Sequence, residues 1–139
     1  ALMKDQADSL NSRNIPAIVL NSELDEKTSK SVIEDCINGE YKFLYVSPEK
    51  LKNKRFLESV RYMNISLVAV DEAHCISQWG YDFRPSYLNI IQLREILPQV
   101  RFLALTATPT VKVTEDIQDK LGFSKKNVLN MSFQRANLS

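Results

Sequence analysis

The run Ser66-Leu67-Val68-Ala69-Val70, closed by Asp71 and Glu72, constrains this chain more than any other feature. It is apolar without alternation, strand-length and rich in β-branched residues, the pattern of a strand covered on both faces of a parallel sheet. Phe102 to Leu105 reads as a second buried strand of the same kind. Parallel neighbours need long crossover connections, and helical patterns lie where such crossovers are due. The expected fold class is therefore α/β, with a largely parallel sheet flanked by helices.

The remaining punctuation agrees with that alternation. Leu2 to Arg13 reads as the tail of a helix and Ala17 to Leu20 as a strand. Ser22-Glu23-Leu24-Asp25 offers a capping box for a helix carrying Val32, Ile33, Cys36 and Ile37 on one face, with Gly39 placed to end it. Lys42 to Val46 is a strand, Ser47 and Pro48 suit the start of a short helix, and Arg55 to Tyr62 is a further helix. A helix is predicted near Ser86 to Leu97, closed by Pro98. Thr108 and Pro109 suit the cap and first turn of a helix ended by Gly122, and Asn127 to Phe133 reads as a last strand.

Composition matters where it excludes. A net charge of +1 from 18 basic and 17 acidic residues neither demands nor forbids a nucleic-acid partner. Two cysteines, Cys36 and Cys75, with the single His74, give neither a disulfide framework nor a zinc spacing. No apolar run reaches membrane-spanning length and the start is unlike a secretion signal, so an intracellular protein is expected. At 139 residues with 44% hydrophobic composition, one domain with its own core is the natural reading.

Three stretches carry chemistry. Asp71-Glu72-Ala73-His74 follows a buried strand, where an aspartate can hold Mg²⁺ beside a triphosphate and a glutamate can deprotonate an attacking water. The plainer reading is that both carboxylates cap a turn. Thr106 and Thr108, at the end of the other apolar strand, can bond the carboxylates or His74, although a capped helix start explains Thr108-Pro109 equally. Between them, Trp79, Tyr81, Phe83 and Tyr87 crowd around Arg84, a set suited to base stacking and phosphate contact or to pinning a loop by its rings.

Taken together and in order, these motifs resemble the RecQ family of superfamily 2 DNA helicases, a DEAH-box group. Leu2-Met3-Lys4-Asp5-Gln6 is similar to the family's motif Ia, and Tyr45-Val46-Ser47-Pro48-Glu49-Lys50-Leu51 to its motif Ib. Phe133-Gln134-Arg135-Ala136-Asn137-Leu138 resembles the segment leading to the second motor domain. The aromatic loop sets the chain apart from DEAH-box RNA helicases, which share only the tetrapeptide. The resemblance implies a RecA-like first motor domain, incomplete in these 139 residues, of an ATP-dependent helicase moving 3′ to 5′ on DNA in repair or recombination.

By motif, the resemblance gives Asp71 the metal of Mg²⁺–ATP, makes Glu72 the catalytic base and has His74 link the nucleotide to Thr106 and Thr108. Trp79, Phe83 and Arg84 would sense single-stranded DNA and gate hydrolysis. Lys4, Gln6, Ser47 and Pro48 lie in motifs that follow the DNA backbone, with Lys50, Lys52, Lys54 and Arg55 nearby as phosphate contacts or as a solvated surface. Tyr81 stands where the family often has His, so stacking is kept and titration lost. The implied place of action is the cytoplasm and nucleoid of a bacterium or the nucleus of a eukaryote.

One required pattern is absent from the 139 residues. A phosphate-cradling loop needs Gly-x-x-x-x-Gly-Lys-Ser/Thr, whereas Gly39, Gly80 and Gly122 are followed by Glu40, Tyr81 and Phe123. The expectation is that the P-loop strand and the second motor domain lie outside this stretch, that the chain by itself does not turn over ATP, and that an uncovered apolar edge beside Thr106 favours self-association. The alternative is a non-hydrolysing DNA- or partner-binding module that retains the motifs.

Overall fold

The computed structural model describes residues 2–21, 23–107 and 110–129. Its first half begins with α1 (Leu2–Ser12), whose Asn11 clamps the start of β1 (Ala17–Leu20): the side chain donates to Ala17 O at 3.0 Å and accepts from Ala17 N at 2.9 Å. The crossover α2 (Glu26–Ile37) leads to β2 (Phe43–Val46), which lies parallel to β1 in a register pairing Ala17 with Phe43 and Leu20 with Val46. The cap of α2 is Asp25, whose carboxylate accepts the Thr28 N–H at 2.6 Å, and not Ser22, which lies outside the described residues. Gly39 ends the helix at φ +78°, a conformation that costs a residue with a Cβ about 1 kcal/mol.

The second half repeats the pattern. After a 3₁₀ turn at Pro48–Lys52, α3 (Lys54–Val60) starts from Asn53, which accepts the Phe56 N–H at 3.1 Å, one residue earlier than the apolar pattern suggested. β3 (Leu67–Val70) crosses over through two 3₁₀ turns, Ala73–Ile76 and Pro85–Leu88, and α4 (Asn89–Ile96) to β4 (Arg101–Ala104), parallel and registered Leu67 to Arg101 and Val70 to Ala104. The last helix, α5 (Val111–Lys120), is capped by Thr110 Oγ1 on the Val113 N–H at 3.2 Å. Thr108 and Pro109 lie outside the described residues, and the helix they were expected to open begins after them. Asn127 to Leu129 form no strand, and residues 130–133 of that expected strand lie outside the described residues.

The fold is thus mixed α/β with short parallel strands, as the sequence predicts. A single cluster containing Leu20, Val32, Phe56, Leu57, Val70, Ile76, Leu93, Ile117 and Leu121 joins both halves, and each such buried apolar side chain contributes roughly 1.5–3 kcal/mol over exposure. Two expectations need correction. The four described strands form two two-stranded ladders, β1–β2 and β3–β4, with no ladder between them among the described residues. Nor are β3 and β4 covered on both faces: Leu67 is 53%, Leu103 45% and Leu105 45% exposed, while Val70 points into the core. Their uninterrupted apolar sequence records a second packing layer that none of the described helices supplies.

Candidate nucleotide and single-strand site

The carboxyl ends of β3 and β4 carry Asp71, Glu72 and Thr106, the residues expected to act on a nucleotide. The ladder continues past the strands, with Leu105 N–H bonded to Val70 O and Ala73 N–H to Leu105 O, both at 2.9 Å. These bonds hold Asp71 and Glu72 in a sharp bend over the end of β4. Glu72 takes φ +51°, ψ +43°, a left-handed conformation uncommon for a residue with a Cβ and worth about 1 kcal/mol of strain. Asp71 Oδ1 accepts the Glu72 N–H at 2.9 Å, and Tyr87 OH donates to Asp71 O at 3.3 Å. Burial, chiefly, pushes the Tyr87 phenol up to about 12, so it keeps its proton and stays a donor. Both acidic side chains remain exposed to solvent.

His74 turns the other way, into the core. Its Nδ1 shares a hydrogen bond with Thr106 Oγ1 at 2.8 Å, and its Nε2 lies 3.4 Å from Glu72 Oε2. A carboxylate only accepts, so the proton belongs on Nε2 and Nδ1 accepts from the threonine hydroxyl. The structure therefore brings Glu72, His74 and Thr106 into one chain of contacts across the strand ends. Thr108, the fourth predicted member, lies outside the described residues.

The loop that follows is anchored at its root and open at its tip. Ala73, His74, Cys75, Ile76 and Ser77 are all buried. Trp79 N–H bonds to Ser77 Oγ and Gly80 N–H to Ser77 O, each at 3.1 Å, and a Cβ on Gly80 would sit 2.8 Å from His74 O. The turn leaves no room for any side chain there. Beyond it Trp79 is 63% and Tyr81 76% exposed, although one face of Tyr81 stacks on His74 with centroids 5.0 Å apart. Phe83 is half-buried. Arg84 pairs with Asp82 at 3.0 Å and its N–H bonds to Cys75 O at 2.9 Å, which closes the loop. Lys112, from the first turn of α5, places Nζ 3.7 Å from the Trp79 ring centroid, a contact with no local signature because the two residues lie 33 apart and no periodic pattern links them.

His74, Cys75 and Asp82 bring one ligand atom each within 4.8 Å of the others. Asp82 already carries the Arg84 guanidinium, and burial, with the Asp82 charge, pushes the Cys75 thiol up, so the trio is poorly suited to a cation.

The predicted DNA-backbone residues stand on other elements. Lys4 and Gln6 are exposed on α1, and Lys4 is paired with Asp8 at 2.9 Å, beside a shallow groove lined also by Asn11 and Asn21. Ser47 and Pro48 follow β2, and Asn89 of α4 donates to Pro48 O at 3.2 Å, fixing that turn to the crossover leading to β4. Lys52, Lys54 and Arg55 are exposed, Lys50 half-buried, and Arg55 reaches Glu26 at 3.6 Å in a solvent pair of little energetic weight.

Comparison with known proteins narrows the meaning of this arrangement. The family model for DEAD/DEAH box helicases matches residues 1–117. The chain is 42% identical over 140 residues to the ATP-dependent DNA helicase RecQ of Bacillus subtilis, covering 100% of this chain and 24% of that protein. It is 40% identical over 138 residues to RecQ of Haemophilus influenzae, covering 99% and 22%, and 38% identical over 140 residues to the bifunctional 3'-5' exonuclease/ATP-dependent helicase WRN of Mus musculus, covering 99% and 10%. The chain spans about a quarter or less of the length of these relatives.

Proposed function

Because the chain belongs to the DEAD/DEAH box helicase family, with RecQ-type DNA helicases among its relatives, we propose that residues 1–139 form part of the first motor domain of an ATP-dependent 3′ to 5′ DNA helicase serving repair or recombination. The observation that carries this is the continuous link from the exposed carboxylates Asp71 and Glu72, through His74 to Thr106, and along the buried root to the exposed ring of Trp79. One end of that link suits a nucleotide and the other a nucleobase.

The family implies ATP use, and the donor set fits its usual metal: Asp71 and Glu72 offer only hard carboxylate oxygens, the chemistry Mg²⁺ prefers. Bound there, Mg²⁺ with ATP supplies the scissile phosphate and neutralises its developing charge. Asp71 would hold the metal. Glu72, bent by its left-handed backbone towards His74, would take the proton of the attacking water on a carboxylate oxygen, with His74 Nε2 keeping it oriented. Thr106, bonded to His74 Nδ1, would register the state of Glu72 at the end of β4. Trp79, Phe83 and Arg84 would report an arriving single strand back along the root. Lys4, Gln6, Ser47 and Pro48 would contact the DNA backbone.

The 139 residues contain no P-loop pattern, so phosphate positioning would come from elsewhere in the motor. ATP turnover by this chain with Mg²⁺ and single-stranded DNA is expected to match that of its Glu72→Gln variant. Joined to a P-loop segment and second motor domain, the same substitution is expected to lower DNA-stimulated turnover about 10²- to 10⁴-fold. Turnover by the 139-residue chain that DNA stimulates and Glu72→Gln abolishes would overturn the placement of the missing parts. The open apolar face bearing Leu67, Leu103 and Leu105 supports self-association of the chain alone, and a strictly monomeric sedimentation profile at high concentration would refute that.

A further inference from the structure

We propose that Lys112 is a latch on the aromatic loop: its ammonium covers the face of Trp79 on which a nucleobase stacks, and a single strand must displace it to engage the loop. This rests on the reading of Trp79 as a contact for single-stranded DNA and adds a residue that sets how readily the contact forms.

The geometry is that of a cation over a ring face. Lys112 Nζ lies 3.7 Å from the Trp79 centroid, well inside the range of about 6 Å over which the ring quadrupole attracts a cation. Among the described residues no carboxylate pairs with Lys112, so the indole is the partner its charge has found. Lys112 is itself exposed in the first turn of α5, so its stem is not packed into the core. The two partners differ in stiffness. The backbone of Trp79 is fixed by the Ser77 hydroxyl and by the tight approach of Gly80 to His74 O, whereas Lys112 has a flexible four-carbon stem. On arrival of a base, the lysine is the side that moves.

The contact also sits in a telling place. His74 and Thr106 join the root of the loop to the end of β4 beneath the surface, and Trp79 and Lys112 join the tip of the loop to the helix that follows β4 above it. Releasing the upper tie leaves the lower one intact, so DNA can free the tip without disturbing the root. An exposed cation–π contact is worth about a two- to five-fold change in an equilibrium, less than the stacking of one base on an aromatic ring. The latch therefore raises the threshold for single-strand engagement without blocking it.

Trp79 is the one tryptophan in the chain, so its fluorescence reads the contact directly. The 139-residue chain, its Lys112→Ser variant and its Lys112→Arg variant are titrated with oligo(dT) at one fixed salt concentration, following tryptophan emission and, independently, the anisotropy of a labelled oligonucleotide. The latch predicts that Lys112→Ser binds about two- to five-fold more tightly than the parent and that Lys112→Arg, which keeps a cation over the ring, binds no more tightly than the parent. A lysine that only contacted phosphate would give the opposite sign, with Lys112→Ser weaker, and that result overturns the latch. Equal affinities for all three, with tryptophan quenching preserved, overturn the latch while leaving the loop's role standing. Binding by anisotropy without any change in Trp79 emission in any of the three chains refutes Trp79 as the contact, and the latch with it.

Discussion

The root and the tip of the segment Ala73–Arg84 are adjacent in sequence and opposite in character. The root is a buried 3₁₀ turn whose side chains are core and whose backbone is wired to β4. The tip presents two aromatic rings to solvent on a turn too tight for a Cβ. The proposed sensing role needs both properties in that order, because an exposed ring would transmit nothing unless what carries it were stiff. The difference makes the segment separable by mutation: changes at the root are expected to cost folding, and changes at the tip to cost only recognition.

The largest break in that contrast is Ile76→Ala. Ile76 is fully buried in the cluster shared by both halves, so truncation is expected to destabilise the chain by about 2–5 kcal/mol, measured by urea unfolding. A loss below about 1 kcal/mol would mean the root is not part of the core. Next is Gly80→Ala at the boundary. Its new methyl meets His74 O, a backbone atom that cannot swing aside, and a cost of about 1–3 kcal/mol is expected in thermal unfolding, with Trp79 emission altered as the turn shifts. An unchanged midpoint and spectrum would show the turn to be slack.

Much of the frame behind this contrast was legible in the sequence, and the parts that were not share a cause. β1 at Ala17–Leu20 is where the apolar run puts it, and Gly39 and Gly122 end their helices at positive φ. Asp71, Glu72, His74 and Thr106 do converge at the strand ends. The misplaced starts, Asp25 for Ser22 and Thr110 for Thr108, arise where several capping residues compete within a turn and only the final packing selects one. Continuous apolarity in β3 and β4 promised two covered faces, but sequence records what a strand is built to meet rather than what the described helices provide. Lys112 over Trp79 and the left-handed backbone of Glu72 had no local signature at all, since the first is a long-range contact and the second runs against the preference of glutamate.

Glu72 itself sharpens the comparison, because it is the entrance to the root and carries strain that function would have to justify. Glu72→Gly removes the side chain and relaxes a φ of +51°, so the relief of about 1 kcal/mol is set against the similar entropy cost of glycine in the unfolded chain. Stability is expected to change by less than about 1 kcal/mol in either direction, whereas Glu72→Val, which cannot relieve the strain, is expected to be clearly less stable than the glycine variant. If valine is tolerated as well as glycine, the left-handed bend is not a constraint.

The smallest effect on folding, and the sharpest separation of the two regions, belongs to Trp79→Ala. Its ring is mostly exposed and Lys112 lies over one face of it, so unfolding is expected to shift by no more than about 0.5 kcal/mol. Loss of a stacking platform should nevertheless weaken oligo(dT) binding by about 1–3 kcal/mol, read by anisotropy of a labelled strand because the fluorophore of the chain is gone. A variant that binds as the parent does would return the aromatic tip to a structural role. One that instead unfolds as readily as Ile76→Ala would mean that the tip is part of the core, and that the separation of root from tip is wrong.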